Sequence, residues 1–587
     1  MNMSNVKPKR LVIVGGVAGG MSAAARARRL SEESEIIIIE RSGYVSYANC
    51  GLPYYLGREI SEQSDLLLQT PASLKARFNL DVRVNQEVID IDTQAKVVTV
   101  KDLKTSATYQ EDYDDLILSV GAAPLRPAVP GIDLPGLFVL RSIEDTQAIE
   151  RWISSQAPTR VVMAGGGFIG LEAAEQLANR GFDVTLVDSK EQVLTPIDTE
   201  MAELVHEELR KHGVRLVLGA AIKSFQPPET LVMNQPRPQS CWVTAGDNKP
   251  IPADMVILGL GVRPEVTLAH KANIAIGQRG GITVNKYLQT SADGVWAVGD
   301  AIEVQHPLNK EYTLIALGGP ANRQGRIVAD NIFGGNETYN GTIGTAILRV
   351  FDLAVATTGL NETQLKLASL PYEAVHIHPS HHAGYYPGAE RLDMKVLFHK
   401  KTGLLLGAQV VGKEGVDKRI DVIATAIKAG MTVRDLADLE LAYAPPFGSA
   451  KDPINLAGMA GKNILDGLTE QVQCDEVQSL DASQFCLLDV RSSSERDRGF
   501  IPGSIHIPLP ELRNHLADLP AGKDIVTYCQ SGQRSYFASR LLQQHGLAVK
   551  NLSGGFLTWK SIVNQVGVRK SQPVNQSCPQ GSNTNCK

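Results

Sequence analysis

The chain has 587 residues, of which 43% are hydrophobic and 21% are charged. Because a single hydrophobic core rarely grows beyond roughly 250–300 residues, this length predicts several domains. The formal net charge of −5 argues against a nucleic-acid-binding protein, whose surface would carry a basic face. No apolar run approaches the roughly 20 residues that a membrane-spanning helix needs, and the N-terminus lacks the apolar stretch of a signal peptide. We therefore predict a cytoplasmic protein without a membrane or nucleic-acid partner.

The first predicted unit covers residues 11–40, "LVIVGGVAGGMSAAARARRLSEESEIIIIE": a strand, a glycine turn, a helix and a second strand. Such a βαβ unit lets the backbone approach a pyrophosphate at the helix N-terminus, and an acid at the end of the second strand binds a ribose hydroxyl. Val17 stands where the middle glycine of G-x-G-x-x-G is expected, so a turn that only packs the helix is the alternative. The candidate cofactor-binding residues are Gly15, Gly16, Ala18, Gly19, Gly20 and Glu40.

The next notable stretch is "SYANCGLPYY", with its single cysteine, Cys50. The chain has seven cysteines, widely scattered and without a Cys-x-x-Cys pair, which is neither a secreted disulfide framework nor a structural zinc pattern. Val45 and Tyr55 stand five positions either side of Cys50, so it has no local partner. It is either a buried structural residue or a nucleophile that forms a mixed disulfide, a persulfide or a sulfenic acid. A nearby cation or helix N-terminus would lower its pKa.

A second βαβ unit, "RVVMAGGGFIGLEAAEQLANRGFDVTLVDS", carries the complete glycine spacing at Gly165, Gly167 and Gly170. Asp188 closes its second strand, and no arginine follows immediately to receive a 2′-phosphate. The unit therefore predicts an NADH site in preference to an NADPH site. Two such units predict two dinucleotides bound to one chain.

A third segment, "TSADGVWAVGDA", carries Thr290, Ala297, Gly299 and Asp300. With it the chain, over about residues 9–462, resembles the two-dinucleotide flavoprotein disulfide reductases. The resemblance implies FAD, with Asp300 at its ribityl chain. "LILSVGAAP" and "VILGLGVRP" look like the two crossovers of that family, which implies that the NAD domain is inserted within the FAD domain.

Among the single-cysteine members of that family, "SYANCGLPYY" resembles the coenzyme A disulfide reductase group. The resemblance implies that Ser46 and Asn49 flank the nucleophile and that Arg26 and Arg29 help to hold the coenzyme A phosphates, a task that suits the planar donors of arginine. A solvated helix face is the alternative for the two arginines. The related NADH peroxidases and oxidases also use one cysteine, but the peroxidases carry a histidine in the first glycine loop where this chain has Ala18. We rank that function lower.

Further along, Tyr385, Tyr443 and Lys451 also match the group. The resemblance implies that the two tyrosines reach the active site of the other subunit of a homodimer, where a hydroxyl could donate a proton to a departing thiolate. Without the resemblance, they would be interpreted as core or interface residues. The histidines at 376, 378, 381 and 382 are interpreted as polar strand and loop residues, and no metal site is predicted.

A different pattern begins near residue 472, after the polar stretch "GLTEQVQCDE", which is interpreted as a linker. "DIVTYCQSGQRSYFASRLL" predicts a strand, Cys529, a glycine loop and a helix, so backbone N–H groups and the helix N-terminus would stabilise a thiolate or an anionic persulfide. The segment resembles a rhodanese domain, which implies a sulfur-accepting Cys529 with Gly532 and Arg534 in its loop. A phosphatase is the alternative. Cys578 and Cys586 lie in a polar tail that is predicted to be disordered.

Together these observations predict an α/β protein with two Rossmann-like dinucleotide-binding domains, an α+β dimerisation domain and a C-terminal α/β rhodanese domain. The expected function is an FAD-dependent NADH:persulfide, polysulfide and CoA-disulfide reductase, with FAD, NADH and coenzyme A as cofactors. Alternatives are a persulfide carrier or redox sensor and an NADH peroxidase or oxidase. The expected boundaries are 1–125 and 256–340 for the FAD domain, 126–255 for the NAD domain, 341–465 for dimerisation, 472–565 for rhodanese and 566–587 for the tail.

Overall fold

The structure, a computed structural model, describes residues 7–227 and 241–571. The chain divides into two compact units. The first holds most of the chain up to Pro371 together with Leu405–Met431, and the second holds Asp198–Leu204, Tyr372–Leu404 and the described residues from Thr432 onward. No helix within the described residues is both long and apolar enough to cross a bilayer. Cys578 and Cys586 lie outside the described residues.

The N-terminal segment begins with the predicted βαβ unit. Its strands are short apolar runs that are buried almost completely, as in parallel sheets covered on both faces. A three-stranded antiparallel sheet of β4, β5 and β6 follows. The elements are β1 (Arg10–Val14), α1 (Ala18–Leu30), β2 (Glu35–Glu40), a 3₁₀ turn (Asn49–Gly51), α2 (Leu52–Leu56), a 3₁₀ turn (Gln63–Leu66), α3 (Pro71–Phe78), β3 (Asp81–Val84), β4 (Gln86–Asp92), β5 (Val97–Asp102), β6 (Thr108–Asp112), β7 (Asp115–Leu118) and β8 (Ala122–Pro124).

The second segment repeats the βαβ architecture around the second glycine turn. Its parallel sheet has the order β12-β11-β10-β16-β9, and β13, β14 and β15 form a small antiparallel sheet beside it. The elements are β9 (Leu137–Val139), α4 (Ile143–Gln156), β10 (Arg160–Ala164), α5 (Phe168–Asn179), β11 (Asp183–Val187), α6 (Thr199–Lys211), β12 (Arg215–Val217), β13 (Ile222–Gln226), β14 (Cys241–Ala245), β15 (Ile251–Ala253), β16 (Met255–Leu258) and β17 (Val262–Pro264).

The third segment returns the chain to the first sheet. Its elements are α7 (Thr267–Lys271), β18 (Val295–Ala297), a 3₁₀ turn (Gly299–Ala301), β19 (Val304–Gln305), β20 (Tyr312–Thr313) and α8 (Gly318–Ile332). The first sheet has the order β18-β7-β1-β2-β3, with β18 parallel to β7. The two predicted crossovers include β8 and β17, which pair with each other as an antiparallel ribbon. In the sequence, the second Rossmann-like sheet is therefore inserted between β7 and β18, two neighbouring strands of the first sheet.

The fourth segment mixes antiparallel strands with helices. In the first unit, β22 pairs with both β21 and β25, and in the second unit β23 pairs with β24. The elements are β21 (Ala346–Val350), β22 (Leu353–Gly359), α9 (Glu362–Leu367), β23 (Tyr372–Ile377), β24 (Leu392–His399), β25 (Leu405–Gly412), α10 (Val416–Lys428), α11 (Val433–Asp438) and α12 (Pro453–Leu465).

The C-terminal segment forms a parallel sheet with the order β26-β30-β29-β27-β28. Its elements are β26 (Glu470–Val472), a 3₁₀ turn (Glu476–Ser479), β27 (Phe485–Asp489), α13 (Ser493–Arg496), β28 (Ile505–His506), two 3₁₀ turns (Leu512–Asn514 and Leu516–Asp518), β29 (Asp524–Tyr528), α14 (Gln533–Gln544), β30 (Val549–Leu552) and α15 (Gly555–Ser571).

Two sequence-based expectations about this segment are wrong. The stretch interpreted as a linker contains β26, an edge strand whose single fully buried residue, Val472, gives too little alternation to be recognised. The predicted tail begins too early, because α15 continues through Ser571, and a formed helix gains a backbone hydrogen bond with each added residue. The remainder of the predicted tail lies outside the described residues.

Two glycines of the second glycine turn differ in the space beside them, and this difference gives a stability test. A Cβ added at Gly170 would overlap the carbonyl oxygen of Gly165, whereas a Cβ at Gly167 would meet nothing within 4 Å. We expect Gly170→Ala to lower the free energy of unfolding by about 1–3 kcal/mol, as overpacking usually does. The matched variant, Gly167→Ala, should unfold like the wild type in urea, followed by circular dichroism. Equal stability of the two variants would contradict the overlap.

Candidate active site

A cavity of about 810 Å³ lies at the carboxyl ends of the first sheet, beside the glycine turn between β1 and α1. This is where ligands of open α/β sheets bind. Its walls combine backbone of that turn with charged and polar side chains from the first three segments. They include Gly15, Val17, Ala18, Gly19, Glu40, Arg41, Tyr47, Asn49, Arg141, Glu144 and Asp300.

The first glycine turn brings a helix N-terminus to this cavity. Gly15 has φ +102°, and a Cβ there would overlap the carbonyl oxygen of Ser119. A Cβ at Gly20 would likewise overlap the carbonyl oxygen of Gly15, so α1 packs directly on the turn. Val17, the departure from the motif, has φ −111°, which any residue adopts. No side chain caps α1, so the N–H groups of its first turn remain available to an anion.

Glu40 fixes the other side of the turn. Its Oε2 accepts a hydrogen bond from the backbone N–H of Gly16 at 2.8 Å, and its Oε1 accepts one from the N–H of Ser42 at 2.8 Å. The carboxylate therefore stands at the end of β2, as a ribose-binding acid must.

The residues around this cavity fit FAD. The glycine turn offers backbone N–H groups, and Arg41 and Arg141 line the same cavity, so the site has positive charge for a pyrophosphate. Oε2 of Glu144 is buried without a hydrogen-bond partner in the described part of the chain, while its Oε1 accepts from Ser42 Oγ. Asp300 also lines the cavity, and burial raises the pKa of its carboxyl. Hydroxyl groups of a dinucleotide are suitable donors for these carboxylates.

The second glycine turn has the same backbone contacts as the first. Gly165 has φ +105°, and a Cβ there would overlap the carbonyl oxygen of Gly259. Oδ2 of Asp188 accepts a hydrogen bond from the N–H of Gly166 at 2.6 Å, and Oδ1 accepts one from the N–H of Lys190 at 2.8 Å. Gly167 is the N-cap of α5. It has open space beside it, and no side chain forms a capping hydrogen bond there. This geometry fits a second dinucleotide.

Cys50 lies in the 3₁₀ turn that precedes α2 and is exposed, with its thiol 3.8 Å from Oδ1 of Asn49. Cys50 therefore stands two residues before the start of α2. The expected lowering of its pKa is not found. Partial desolvation by the surrounding protein raises the pKa of the Cys50 thiol, and the negative charges of Glu172 and Asp300 raise it further.

Glu172 and Tyr54 were missed by the sequence analysis. Tyr54 Oη donates a hydrogen bond to Oε1 of Glu172 at 3.1 Å, and burial raises the pKa of Glu172. The available signal was spacing: Tyr54 stands one helical turn after Cys50, and Glu172 stands two residues after Gly170 on the helix of the second glycine motif.

The predicted substrate-binding residues of the first unit differ in their surroundings. Ser46 has φ +48° and lies half-buried in the loop before Cys50. Arg26 is paired with Asp330, with Nε 2.7 Å from Oδ1, so it is not a solvated side chain. Arg29 is exposed. The structure thus separates the two arginines that the sequence analysis treated as a pair.

In the second unit, Tyr385 and Tyr443 come together. Their hydroxyl oxygens are 3.1 Å apart, and both rings are exposed, at 76% and 48%. The alternative that they are core residues is therefore wrong. Lys451 is also exposed, just before α12. Their exposure is consistent with a position at a subunit interface or with contact to a ligand.

Cys529 directly follows β29 in the same unit and is completely buried. Gly532, with φ +89°, forms the N-cap of α14, and Ser535 Oγ donates to the Cys529 sulfur at 3.5 Å. Arg534 binds both carboxylate oxygens of Glu495 and also interacts with Cys529. The predicted strand, cysteine loop and helix are therefore present. Ser535 and Glu495 were missed, because a serine inside a helix and an acid 39 residues before Arg534 carry no local signal.

Comparisons with known proteins agree with this architecture. Residues 9–325 match the family model described as pyridine nucleotide-disulphide oxidoreductase, residues 345–452 its dimerisation domain and residues 471–562 the rhodanese-like domain. The chain therefore belongs to the pyridine nucleotide-disulphide oxidoreductase family and carries a C-terminal rhodanese domain.

Three relatives are similar over most of the chain. The coenzyme A disulfide reductase of Staphylococcus haemolyticus is 33% identical over 78% of this chain and 100% of its own length. The structure of reduced Bacillus anthracis CoADR-RHD superposes with a TM-score of 0.92 at 48% identity, covering 95% of this chain and 99% of that one. A NAD-dependent persulfide reductase from A. fulgidus superposes with a TM-score of 0.86 at 36% identity, covering 94% and 100%.

The charges near Cys50 make a pH prediction. Because the negative charge of Glu172 contributes to the raised pKa of Cys50, Glu172→Gln should lower that pKa. The pH midpoint of Cys50 alkylation by iodoacetamide, measured on the protein stripped of flavin by peptide mass spectrometry, should then move to lower pH. Glu33→Gln, which removes an exposed charge near α1, is the control and should leave the midpoint in place. A midpoint that is the same in all three proteins would show that Glu172 does not act on the thiol.

Asp188 makes a cofactor prediction. In Asp188→Ala, a ribose partner and two backbone hydrogen bonds are lost together. We expect kcat/KM for NADH to fall roughly tenfold or more, since a hydrogen bond to a charged group contributes about 1.5–3 kcal/mol. The value for NADPH should fall much less, because the repulsion between the carboxylate and a 2′-phosphate disappears. Steady-state kinetics with both nucleotides test this, and an equal loss for both would contradict a ribose role.

Proposed function

We propose that this protein is an NADH-dependent flavoenzyme that reduces coenzyme A disulfide and coenzyme A persulfide. The observation that carries the proposal is the position of Cys50 in the turn beside the FAD-fitting cavity. Cys50 is free, as are the other four cysteines in residues 7–227 and 241–571. A single cysteine without a local partner suits disulfide exchange with a substrate that brings its own thiol, as coenzyme A derivatives do.

The sulfur chemistry at Cys50 is thiol–disulfide exchange. The Cys50 thiolate attacks one sulfur of a CoA disulfide, the S–S bond breaks, and one CoA leaves as a thiolate that takes up a proton. A mixed disulfide between Cys50 and the second CoA remains. With a CoA persulfide, attack on the outer sulfur leaves a Cys50 persulfide and releases CoA. Bound FAD would carry two electrons from NADH to the S–S bond of either intermediate. Reduction of that bond restores the Cys50 thiolate and releases CoA or hydrosulfide.

Coenzyme A is therefore a substrate of this reaction, a correction to its expected place among the cofactors. The exposed cations Arg29 and Lys451 are suited to its phosphates, whereas Arg26 would first have to leave Asp330. The group resemblance and the exposure of Asn49 and Cys50 support placing the reacting sulfur at Cys50.

We further propose a cytoplasmic homodimer with shared sites. The match to the dimerisation domain and the two exposed tyrosines, Tyr385 and Tyr443, support it. One of the paired hydroxyls would donate the proton that the departing thiolate needs. The domain boundaries stay as proposed from the sequence, except that the rhodanese domain begins with β26.

The rhodanese domain is proposed to hold sulfane sulfur as a persulfide on Cys529. The N-terminus of α14 follows Cys529 by four residues, and the Ser535 hydroxyl donates to its sulfur, which suits an anionic persulfide. Its sulfur would reach the reductase on a thiol carrier such as CoA.

The test compares the wild type with Cys50→Ser and Cys529→Ser in anaerobic NADH oxidation. CoA persulfide, CoA disulfide and hydrogen peroxide are supplied in parallel. We expect the two sulfur substrates to be reduced fastest, and Cys50→Ser to lose roughly three orders of magnitude or more, as loss of a nucleophile does. Cys529→Ser should keep CoA-disulfide reduction.

Three outcomes would overturn parts of this proposal. Fastest turnover with peroxide would make the protein a peroxidase. Unchanged activity in Cys50→Ser would remove Cys50 from the mechanism. Slow NADH turnover with every small substrate, combined with persulfide transfer to a protein, would support the carrier or sensor function instead.

A further inference from the structure

Two buried histidines in the second unit each join a carboxylate to a hydroxyl group. The first is His376, at the end of β23. Its Nε2 is 2.9 Å from Oε1 of Glu200, and its Nδ1 is 3.1 Å from Oγ of Ser553. The backbone N–H of His376 also donates to the same Oγ at 3.3 Å. The histidine therefore binds Ser553 at two points.

The second is His378, two residues further on. Its Nδ1 is 2.5 Å from Oδ1 of Asp393, and its Nε2 is 2.8 Å from Oγ1 of Thr558. Both histidine side chains are almost completely buried. Two acid–histidine–hydroxyl triplets thus stand side by side, each connecting the β23–β24 pair to the C-terminal segment.

The carboxylates in these triplets stay ionised. Burial alone would raise the pKa of Glu200, but Lys395 and His376 outweigh it and hold the pKa well below its usual range. The pKa of Asp393 is also lowered, because His378 and Arg391 outweigh burial. An ionised carboxylate on one ring nitrogen fixes the orientation of a histidine and directs its other nitrogen at the hydroxyl.

The arrangement resembles a hydrolytic triad, but its hydroxyls face no substrate. Ser553 is 1% exposed and Thr558 is 4% exposed. A nucleophilic hydroxyl must meet a substrate carbonyl, whereas these two are enclosed by protein. The triplets therefore hold the hydroxyls in place and do not activate them.

The segment between these two hydroxyls forms one wall of the Cys529 loop. The backbone N–H groups of Phe556 and Leu557 donate to the carbonyl oxygens of Cys529 and Gln530 at 2.8 and 3.0 Å. Gly555, with φ +63°, lies so close that an added Cβ would be 2.5 Å from the Cys529 carbonyl oxygen and 2.8 Å from the Gly532 nitrogen. Any shift of this wall is transmitted directly to the loop.

We propose that His376 and His378 are positioning residues for Cys529. By anchoring Ser553 and Thr558 at the two ends of the wall segment, they hold the cysteine loop closed and set how readily it opens to a sulfur donor or acceptor. Such control is needed because Cys529 is completely buried in this closed state. The inference deepens the proposed function, since it rests on Cys529 as the persulfide carrier.

The test measures the opening of the loop directly. The full-length, FAD-loaded protein is treated with iodoacetamide, and the alkylation rate of each cysteine is followed by peptide mass spectrometry. The variants are His376→Ala and His378→Ala, with His378→Gln as the conservative replacement, because glutamine also presents a polar nitrogen to Thr558. Thr558→Val removes the hydroxyl alone at constant volume. His399→Asn is the matched control. His399 lies on β24, but the described hydrogen bonds of its side chain go only to Lys401 and Thr402 in the adjoining turn.

Cys486 on β27 and Cys241 on β14 serve as internal references for general unfolding, since both are buried and neither belongs to the wall segment. We expect both alanine variants and Thr558→Val to raise the alkylation rate of Cys529 about tenfold, the equivalent of one buried hydrogen bond. The two reference cysteines should react at the wild-type rate. His378→Gln should return Cys529 toward that rate, and His399→Asn should not change it.

Two results would overturn the inference. One is an unchanged Cys529 rate in all three weakened variants. The other is an equal rise at Cys529, Cys486 and Cys241 with no recovery in His378→Gln, which would mean general destabilisation. A separate assay of sulfur transfer from glutathione persulfide tests the proposed function of the domain. If wild-type Cys529 carries no sulfur, that function fails, while the alkylation rates still decide whether the histidines hold the loop.

Discussion

The dinucleotide sites depend on one steric constraint: a helix must lie directly on the backbone of the turn that precedes it. In both halves this contact excludes a Cβ, at Gly20 against Gly15 and at Gly170 against Gly165. The close approach aims the N–H groups of a helix start at the cavity edge, and the acid at the next strand end ties the turn from the other side. Sheet order, crossover ribbon and cavity all follow from placing two such units in one chain.

Electrostatics around Cys50 follow a different logic from the dinucleotide sites. Carboxylates and burial surround the thiol, and each of them favours the neutral form. A protein that relies on a thiolate must therefore gain stabilising charge or dipoles from what it binds. In the proposed mechanism, bound cofactor and substrate would therefore supply the charge or dipoles that stabilise the Cys50 thiolate.

Much of the fold was predictable from local patterns. The glycine spacings, the strand-ending acids Glu40 and Asp188, and the strand, cysteine loop and helix at Cys529 are all short-range signals that follow directly from backbone geometry. The inserted second sheet was predictable from the paired crossovers. The absence of a second cysteine near Cys50 was also visible in the sequence, because it is a local feature.

What escaped prediction depends on long-range contacts. Asp330 binds Arg26 across about 300 positions, Glu172 reaches Tyr54 from another domain segment, and Glu495 binds Arg534 from 39 positions earlier in the chain. The sequence led us to interpret His376 and His378 as polar strand and loop residues, since their carboxylate and hydroxyl partners are scattered between residues 200 and 558. Such sites exist only after folding has brought the partners together.

The edge strand β26 has a practical consequence for dividing the molecule. Glu470–Val472 covers one side of β30, so an excised C-terminal domain that starts at the apparent sequence boundary would leave a row of unpaired backbone groups open to solvent. Exposed strand edges recruit strands from other copies, which leads to aggregation. A soluble, separately purified domain would therefore have to begin before Glu470, and even then it would expose the hydroxyl-bearing wall that the two histidines normally cover.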